Sequence, residues 1–400
     1  IVVWLTLGFA MGLTRGFCIH ISQAYGKKDY HLVNRGFFVA SVLSLIVGAM
    51  ISIVGSLAIR DFLILMHTPG EILEQSLDYI KVILLGFVIT VLNNLFMSVL
   101  QSLGDSSTPF WALLVSSVTN IGLDCVFVLT LKWGVQGAAA ATVLSQVFSF
   151  AICAAGLKRL KFVSILDGSK SKNARLTVRM LKTGLPVGIM SMVTAVGGMI
   201  LQFFVNDLGA SAVAAYAAST KIRSVIGEFS NALGMTFMTF VGQNYGAQKY
   251  DRIKAGVRMG VLLSILIHIP LSAVEIFGGK RIASLMVTDP PVLELCGQYL
   301  LIVGIFVFFL GFLMVFRNCI QGMGNTWIPM LSGGLEVFSR LIFGYWLGRH
   351  SFMGIAAAEA SAWISVSIML GSSFFILFRK VLRTQMPENT TDTKNIRTVS

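Results

Sequence analysis

A chain of 400 residues that is 55% hydrophobic and only 12% charged lies outside the range of soluble globular domains, in which about 25% of residues are charged. Its formal net charge of +13 would suit a nucleic-acid-binding protein, but the basic residues lie between long apolar segments, which favours a membrane protein that binds no nucleic acid. The sequence has no His-Glu-x-x-His, Gly-x-Ser-x-Gly or phosphate-binding-loop motif, which argues against a membrane-embedded enzyme or an ATP-driven pump.

Apolar runs of about 20 residues, the length at which an α-helix crosses a bilayer, recur along the chain. Isolated polar residues inside these runs, and the lack of strand-like alternation, favour helices over a β-barrel. The earlier runs lie near 1–22, 37–58, 76–99, 109–131 and 135–156, and the later ones near 184–205, 213–240, 255–277, 295–316, 327–347 and 354–378. The sequence therefore predicts an all-α membrane protein with eleven spans.

One segment occurs twice. Ser22–Tyr30 recurs as Gly242–Tyr250, with Gln, Tyr, Gly and Tyr in the same order and an offset of 220 residues between Tyr25 and Tyr245. The same offset relates Tyr79, Gln101, Gly104 and Pro109 to Tyr299, Gln321, Gly324 and Pro329. A constant offset over so much of the chain indicates two copies of one unit.

Basic residues predict the topology. They cluster in alternate connections, near residues 27–35, 158–182, 249–258 and 379–383, whereas the other connections contain few. The positive-inside rule places this group, both Gln-x-Tyr-Gly loops and the C-terminus in the cytoplasm of a multi-pass cell-membrane protein. Six predicted spans separate the two loops, so the copies have the same orientation and are related by a pseudo-two-fold axis along the membrane normal.

The predicted organisation is two parallel six-helix lobes. The first lobe lacks its opening helix, because the offset carries the run at 184–205 to negative positions. Polar composition marks a cytoplasmic linker and a disordered cytoplasmic tail. We therefore expect an N-terminal lobe at 1–157, the linker at 158–183, a C-terminal lobe at 184–380 and the tail at 381–400.

Several further motifs accompany the repeated loop: Gln101-x-x-Gly104-x-x-x-x-Pro109, Asn120-x-x-x-Asp124, and an Ala-rich run that begins at Gly134. In joint order and spacing they resemble the multidrug and toxic compound extrusion (MATE) transporters, over roughly residues 1–380. The resemblance implies a V-shaped pair of lobes that exports amphiphilic or cationic small molecules in exchange for inward H⁺ or Na⁺. It also implies a monomer in the lipid bilayer that needs no cofactor and no resident metal.

Asp124 is the sharpest candidate for chemistry because it lies in the middle of a predicted span. A charged carboxylate at a helix centre costs about 2.5–3.5 kcal/mol, so intramembrane carboxylates usually bind a proton or a cation. Asn120 lies one turn earlier on the same helix face and could supply an amide oxygen to Na⁺. The alternative is a carboxylate that is hydrogen-bonded to a neighbouring helix for structure.

The resemblance adds Tyr79 and Thr142 to this cation site. Without it, the tyrosine would be an interfacial aromatic and the threonine a small packing residue. At the repeat offset the second lobe has Arg340, Gly344 and Ala362 in place of Asn120, Asp124 and Thr142. The sequence therefore predicts a coupling site in the first lobe only.

In the second lobe, Glu336 and Arg340 are four residues apart and are predicted to pair on one helix face. We favour a structural role for this pair over a role in gating or substrate contact. Glu359 has no apparent partner in the sequence and is predicted to face the same cavity. Arg223 and Glu228 are five apart, a less favourable spacing for a pair.

Met190 and Met235 lie in the two helices that open the second lobe. Flexible thioethers suit a promiscuous cavity, although methionine is equally common as ordinary packing. A flippase for lipid-linked oligosaccharides, which shares the broader fold, is the alternative to a drug exporter. It would favour a strongly cationic cavity, and cations are few within the predicted spans, so we favour drug export.

Overall fold

The computed structural model describes residues 2–65, 70–164 and 173–385, and the regular structure in these ranges is helical throughout. The first lobe consists of α1 (Val2–Gly26), α2 (Tyr30–Leu65), α3 (Gly70–Leu85), α4 (Phe87–Ser102), α5 (Ser107–Asp124) and α6 (Gly134–Arg159). The second consists of α7 (Ala174–Asn206), α8 (Ala210–Gly246), α9 (Tyr250–Ala273), α10 (Gly279–Ala283), α11 (Pro290–Gly322), α12 (Trp327–Phe343) and α13 (Phe352–Gln385). Short π-helical turns at Cys125–Thr130, Val274–Gly278 and Gly344–Gly348 follow α5, α9 and α12.

The predicted apolar runs all lie in helices. Within the described ranges, seven helices are long and apolar enough to cross a bilayer, and α3 with α4, bent by 49° at their junction, would add an eighth. This is fewer than the eleven predicted spans. Three helices, α1, α8 and α12, are outside this group; α8 carries Lys221, Arg223 and Glu228, and α12 is only 17 residues long. The protein is a multi-pass membrane protein, and parts of it keep charged residues inside its helix bundle.

The repeat is reproduced in the turn after each Gln-x-Tyr-Gly segment. The backbone N–H of Lys28 donates to Tyr25 O at 2.9 Å, and that of Gln248 donates to Tyr245 O at 3.1 Å. Lys28 and Gln248 both have left-handed backbone conformations, with φ of 61° and 59°. The two lobes therefore leave α1 and α8 through the same turn.

A second repeated turn leads into α5 and α12. Gly104 and Gly324 have φ of 94° and 91°, a region that glycine adopts without steric cost. The next residue caps the following helix in both lobes. Thr108 N donates to Asp105 Oδ1 at 3.0 Å, and Ile328 N donates to Asn325 Oδ1 at 3.2 Å. The predicted duplication is thus present at the level of individual hydrogen bonds.

The lobes meet along α1 and α7. Gly16 faces Gly184 so closely that a Cβ on Gly16 would lie 2.5 Å from Gly184 Cα. A Cβ on Gly12 would lie 2.6 Å from Val187 O. Small residues let two helix backbones approach in this way inside a membrane. The first half of α7 therefore packs on the first lobe, and its second half packs on α12.

The observed boundaries differ from the predicted ones around the linker and the tail. α6 continues to Arg159 and α7 begins at Ala174, ten residues before the predicted start of the lobe at 184. α13 continues to Gln385, so residues 381–385 of the predicted disordered tail are helical. The rest of the tail, 386–400, and the linker residues 165–172 lie outside the described residues.

The described part of the linker packs on the first lobe. Phe162 stacks on Tyr25 with ring centroids 5.9 Å apart and lies 4.8 Å from the Tyr30 ring. Ser164 N donates to Asn34 Oδ1 at 3.0 Å. The turns after α1 and α8, the end of α6 and the end of α13 thus lie at one end of the molecule, here called the basic end because it holds the basic residues at 27–35, 158–161, 175–182, 249–258 and 379–383.

Candidate functional site

The two Gln-x-Tyr-Gly segments join the lobes at the basic end. Gln23 Nε2 donates to Gly322 O, at the end of α11, over 2.9 Å. Gln243 Nε2 donates to Ser102 O, at the end of α4, over 2.9 Å. Ser102 and Gly322 are equivalent positions of the repeat, so one contact is made twice, once in each direction. We call these four residues the reciprocal clamp.

Glycine is required beside the clamp. A Cβ added to Gly26 would collide with the Gln243 carbonyl, and one added to Gly246 would collide with the Gln23 carbonyl. The ends of α1 and α8 therefore touch backbone to backbone. The two lobes are therefore in close contact at the basic end.

A cavity of about 90 Å³ lies between α1, α4 and α8. Met235 lines it, together with Met11, Thr14, Arg15, Asn94, Met97, Ser98 and Gln101. Met190 is not among the lining residues; it is buried, and its sulfur accepts from Gln321 Nε2 at 3.7 Å. Of the two methionines predicted to line a cavity, only Met235 faces this one.

Asp124 is half-buried and is the last residue of α5, directly before the π-helical turn Cys125–Thr130. Its Oδ1 atom is buried and has no hydrogen-bond partner within the described residues. The same holds for Asn120 Nδ2, Gln146 Oε1 and Asn93 Oδ1. These side chains come from α4, α5 and α6, which pack against one another. Buried polar atoms are normally paired, so each of these four atoms has unmet hydrogen-bonding capacity.

The other two candidates of the first lobe lie on neighbouring helices. Thr142, on α6, is half-buried and its Oγ1 donates to Ala138 O at 3.0 Å. Tyr79 is half-buried on α3, which packs on α6. Asp124, Asn120, Thr142 and Tyr79 are thus carried by contiguous helices. The oxygen atoms of a carboxylate, an amide and a hydroxyl are the hard ligands that suit Na⁺, and the carboxylate alone suffices for a proton.

The second lobe holds buried ion pairs in its interior. Glu336 Oε1 accepts from Arg340 at 3.0 Å, which confirms the predicted pair one turn apart on α12. Its other oxygen, Oε2, accepts from Arg317, on α11, at 3.0 Å. All three side chains are at most 6% exposed. Glu336 is therefore held between two arginines.

The same cluster continues to Glu359, on α13. Its Oε1 lies 3.3 Å from Arg223 and 3.6 Å from Arg340, and the Tyr299 hydroxyl donates to its Oε2. The guanidinium of Arg223 also lies over the ring of Trp363, 5.9 Å from its centroid. Glu359 thus has the partners that the sequence did not indicate, and Arg223 pairs with it instead of with Glu228.

Glu275 completes the cluster. It lies in the π-helical turn after α9, is 1% exposed, and both of its carboxyl oxygens lack a hydrogen-bond partner within the described residues. The cluster then contains three arginines and three glutamates from α8, α11, α12, α13 and the turn after α9. The cluster therefore has equal numbers of acidic and basic side chains, and two of its glutamates, Glu336 and Glu359, form ion pairs with arginines.

Sequence reasoning missed Arg317 and Glu275 as members of this cluster. The signal that could have found them is the presence of charged residues inside runs that are otherwise apolar, since such residues seldom face lipid. The sequence could not indicate which charged residues of the cluster pair with each other, because the partners are far apart along the chain. Arg317 and Glu336 are 19 positions apart, and Arg223 and Glu359 are 136 positions apart.

Comparisons with known proteins agree with the resemblance to MATE transporters found in the sequence. A family model described as MatE matches residues 1–126 and 186–346. The chain is 27% identical over 375 residues to the probable multidrug resistance protein YoeA of Bacillus subtilis, covering 88% of this chain and 81% of that protein. It is 24% identical over 328 residues to the FAD transporter of Shewanella oneidensis, covering 78% of this chain and 70% of that protein.

The fold has solved counterparts. A crystal structure of a MATE protein in the bent conformation matches with a TM-score of 0.88 at 22% identity, covering 96% of this chain and 86% of that chain. At this level of identity the match concerns the two-lobed all-helical fold.

Proposed function

Since this chain belongs to the MatE family of multidrug and toxic compound extrusion transporters, and is a membrane transporter and not an enzyme, we propose that it exports amphiphilic or cationic small molecules in exchange for inward H⁺ or Na⁺. We further propose that it acts as a monomer in the cell membrane, with the basic end and the C-terminus in the cytoplasm.

The observation that carries the proposal is the difference between the two lobes. In the second lobe, Glu336 and Glu359 are each within 3.6 Å of two arginines, and Glu275, whose own oxygens have no hydrogen-bond partner in the described chain, belongs to the same arginine-containing cluster. In the first lobe, Asp124 Oδ1 is buried with no partner in the described chain. A carboxylate without an internal counter-ion can take up H⁺ or Na⁺, whereas one clamped between arginines is already neutralised. We therefore assign ion coupling to Asp124, with Asn120, Thr142 and Tyr79 around it.

The reciprocal clamp supplies the other requirement of exchange, a passage that closes on one side. With the basic end in the cytoplasm, the conformation described here is closed toward the cytoplasm. Cargo can enter from the cytoplasm only after Gln23 and Gln243 release their partners. We propose that ion occupancy at Asp124 biases this equilibrium through the π-helical turn that begins at Cys125, since such turns often mark functional sites.

The driving force is adequate. One inward proton releases about 2.3 kcal/mol per 100 mV of membrane potential, and about 1.4 kcal/mol for each tenfold concentration ratio. For a neutral cargo the two contributions together support a gradient well above tenfold, whereas a one-for-one exchange with a monovalent cation moves no net charge and draws on the proton concentration ratio alone. For Glu336, Arg340 and Glu359, the buried pairing favours a role in holding the helices of the second lobe together over direct contact with cargo.

The proposal is tested in proteoliposomes that contain no ATP and carry an imposed H⁺ or Na⁺ gradient. Efflux of a cationic dye and of FAD would be followed in parallel, because one relative is an FAD transporter. Asp124→Asn is expected to reduce gradient-driven transport at least tenfold. The matched control is Asp207→Asn, the same change at an exposed carboxylate, which should transport normally. Undiminished gradient-driven transport by Asp124→Asn would refute the assignment.

A further inference from the structure

A second, larger cleft opens on the side of the second lobe at the basic end. Its volume is about 590 Å³, and it lies between α9 and α13, both of which pack on α11. Its walls are aliphatic and aromatic, and cations stand at its rim. The lining residues are Val257, Val261, Phe316, Phe374, Phe375, Phe378 and Leu382, with Lys254, Arg258 and Arg379.

The three cations are available to a ligand. Lys254 and Arg258 lie one turn apart on α9, and Arg379 follows Phe378 on α13, so two helices contribute to one positive group. All three are exposed, and within the described part of the chain none of them forms an ion pair or a side-chain hydrogen bond. Among the residues that the structure describes, no carboxylate lines the cleft. The rim is therefore complementary to an anion.

The cleft is a property of the second lobe and not of the repeated fold. At the repeat offset, Lys254 and Arg258 correspond to Asn34 and Phe38, and Phe374 and Phe375 correspond to Ala154 and Ala155. In the first lobe, Asn34 accepts a hydrogen bond from the linker residue Ser164. The chain thus covers the equivalent end of the first lobe with its own linker. The second lobe has cations and aromatic rings at the equivalent positions.

The position of the rim favours a lipid over a soluble anion. The predicted spans begin at 255 and end at 378, so Lys254, Arg258 and Arg379 lie at the expected boundary between hydrocarbon and water. Phe375, in the wall, is exposed on the outer side of α13. Basic pockets between transmembrane helices on this side of a membrane are suited to anionic lipid head groups.

We propose that this cleft binds an anionic phospholipid, with its phosphate between Lys254, Arg258 and Arg379 and an acyl chain along Phe316, Phe374 and Phe375. The lipid then bridges α9 and α13 across α11. Since α11 ends at Gly322, whose carbonyl accepts from Gln23, the lipid supports the helix on which the reciprocal clamp closes.

The test measures binding of phosphatidylglycerol to the full-length purified protein by native mass spectrometry, with phosphatidylcholine and inorganic phosphate as comparison ligands. We expect saturable binding of phosphatidylglycerol, at least tenfold tighter than that of phosphatidylcholine, and no displacement by millimolar phosphate. The triple variant Lys254→Gln, Arg258→Gln, Arg379→Gln should lose this preference. Phe375→Ala should weaken binding of the long-chain lipid more than that of a short-chain analogue.

The matched control is Lys27→Gln, Lys158→Gln, Arg159→Gln, which removes the same charge from exposed positions at the basic end of the first lobe. It should bind phosphatidylglycerol as the unmodified chain does. An equal loss in this control would show general electrostatic attraction and overturn the proposal. So would displacement by phosphate alone. The proposal would also fall if binding appeared only after removal of residues 386–400, because the chain's own tail would then be the occupant.

Discussion

Gln23 and Gln243 occupy equivalent positions of the repeat, and each donates a 2.9 Å hydrogen bond to a helix-end carbonyl of the other lobe. Because the two bonds are related by the repeat, they form and break together when the lobes part at this end. A side-chain amide suits this task, since it is neutral and its bond contributes only about 0.5–1.5 kcal/mol. The two bonds therefore stabilise the closed state only weakly, so that it can still open.

Replacing both clamp residues, as Gln23→Ala with Gln243→Ala, is expected to shift the protein toward the state open at the basic end. Together the two bonds contribute about 1–3 kcal/mol, which corresponds to a change in the population ratio of about 5- to 150-fold. Distances between spin labels on Lys27 and Lys249 would report the shift. Gln136→Ala, at an exposed position, is the control. An unchanged distance distribution in the double variant would contradict a role for the clamp.

Gly26→Ala is expected to destabilise the closed state by at least about 1–3 kcal/mol, because its methyl group would collide with the Gln243 carbonyl. Gly246→Ala should act alike, through the Gln23 carbonyl. Gly227, on α8, provides the control: a Cβ there meets no atom within 4 Å, so Gly227→Ala should be neutral or stabilising by up to about 1 kcal/mol. Thermal unfolding in detergent and the distances between the labels on Lys27 and Lys249 would compare the three variants. If Gly26→Ala and Gly246→Ala behaved like Gly227→Ala, the close approach of the two helix ends would not require glycine.

Glu336→Gln should be strongly destabilising, since it leaves Arg317 and Arg340 buried without their common partner. Breaking a buried ion pair from one side costs about 3–5 kcal/mol. Glu294→Gln makes the same change in an exposed pair with Lys280, where solvent screens the charges, and should have little effect on stability. Denaturant titration in detergent micelles would compare them. A loss for Glu336→Gln no larger than that for Glu294→Gln would show that the buried pairing contributes little to stability.

Glu275→Gln should behave in the opposite way from Glu336→Gln, although both residues are buried in the same cluster. Neither oxygen of Glu275 accepts a hydrogen bond within the described chain, so the change sacrifices no such bond and removes a carboxylate that is costly to bury. We expect stability within about 1 kcal/mol of the unmodified protein, or above it. The denaturant titration would count against this interpretation if Glu275→Gln lost as much as Glu336→Gln.

The sequence was sufficient wherever the determining pattern is local or periodic. The constant offset identified the duplication, and the spacing of four residues identified the pair of Glu336 with Arg340. It was not sufficient where burial depends on other helices. The partners of the second-lobe arginines illustrate this, since they lie on helices that are distant in sequence. The last helix also continues through residues 381–385, which the sequence had assigned to the tail.

What the sequence by itself determined is the class of protein and its repeated architecture, because these follow from composition and from comparison of one copy with the other. Only the tertiary structure decided which groups meet: that Gln23 reaches Gly322, and that Arg223 reaches Glu359 instead of Glu228. Contacts between distant positions depend on how helices cross, and the crossing of α1 with α7 and α8 is set by backbone approach at glycines, which no spacing along the chain reveals.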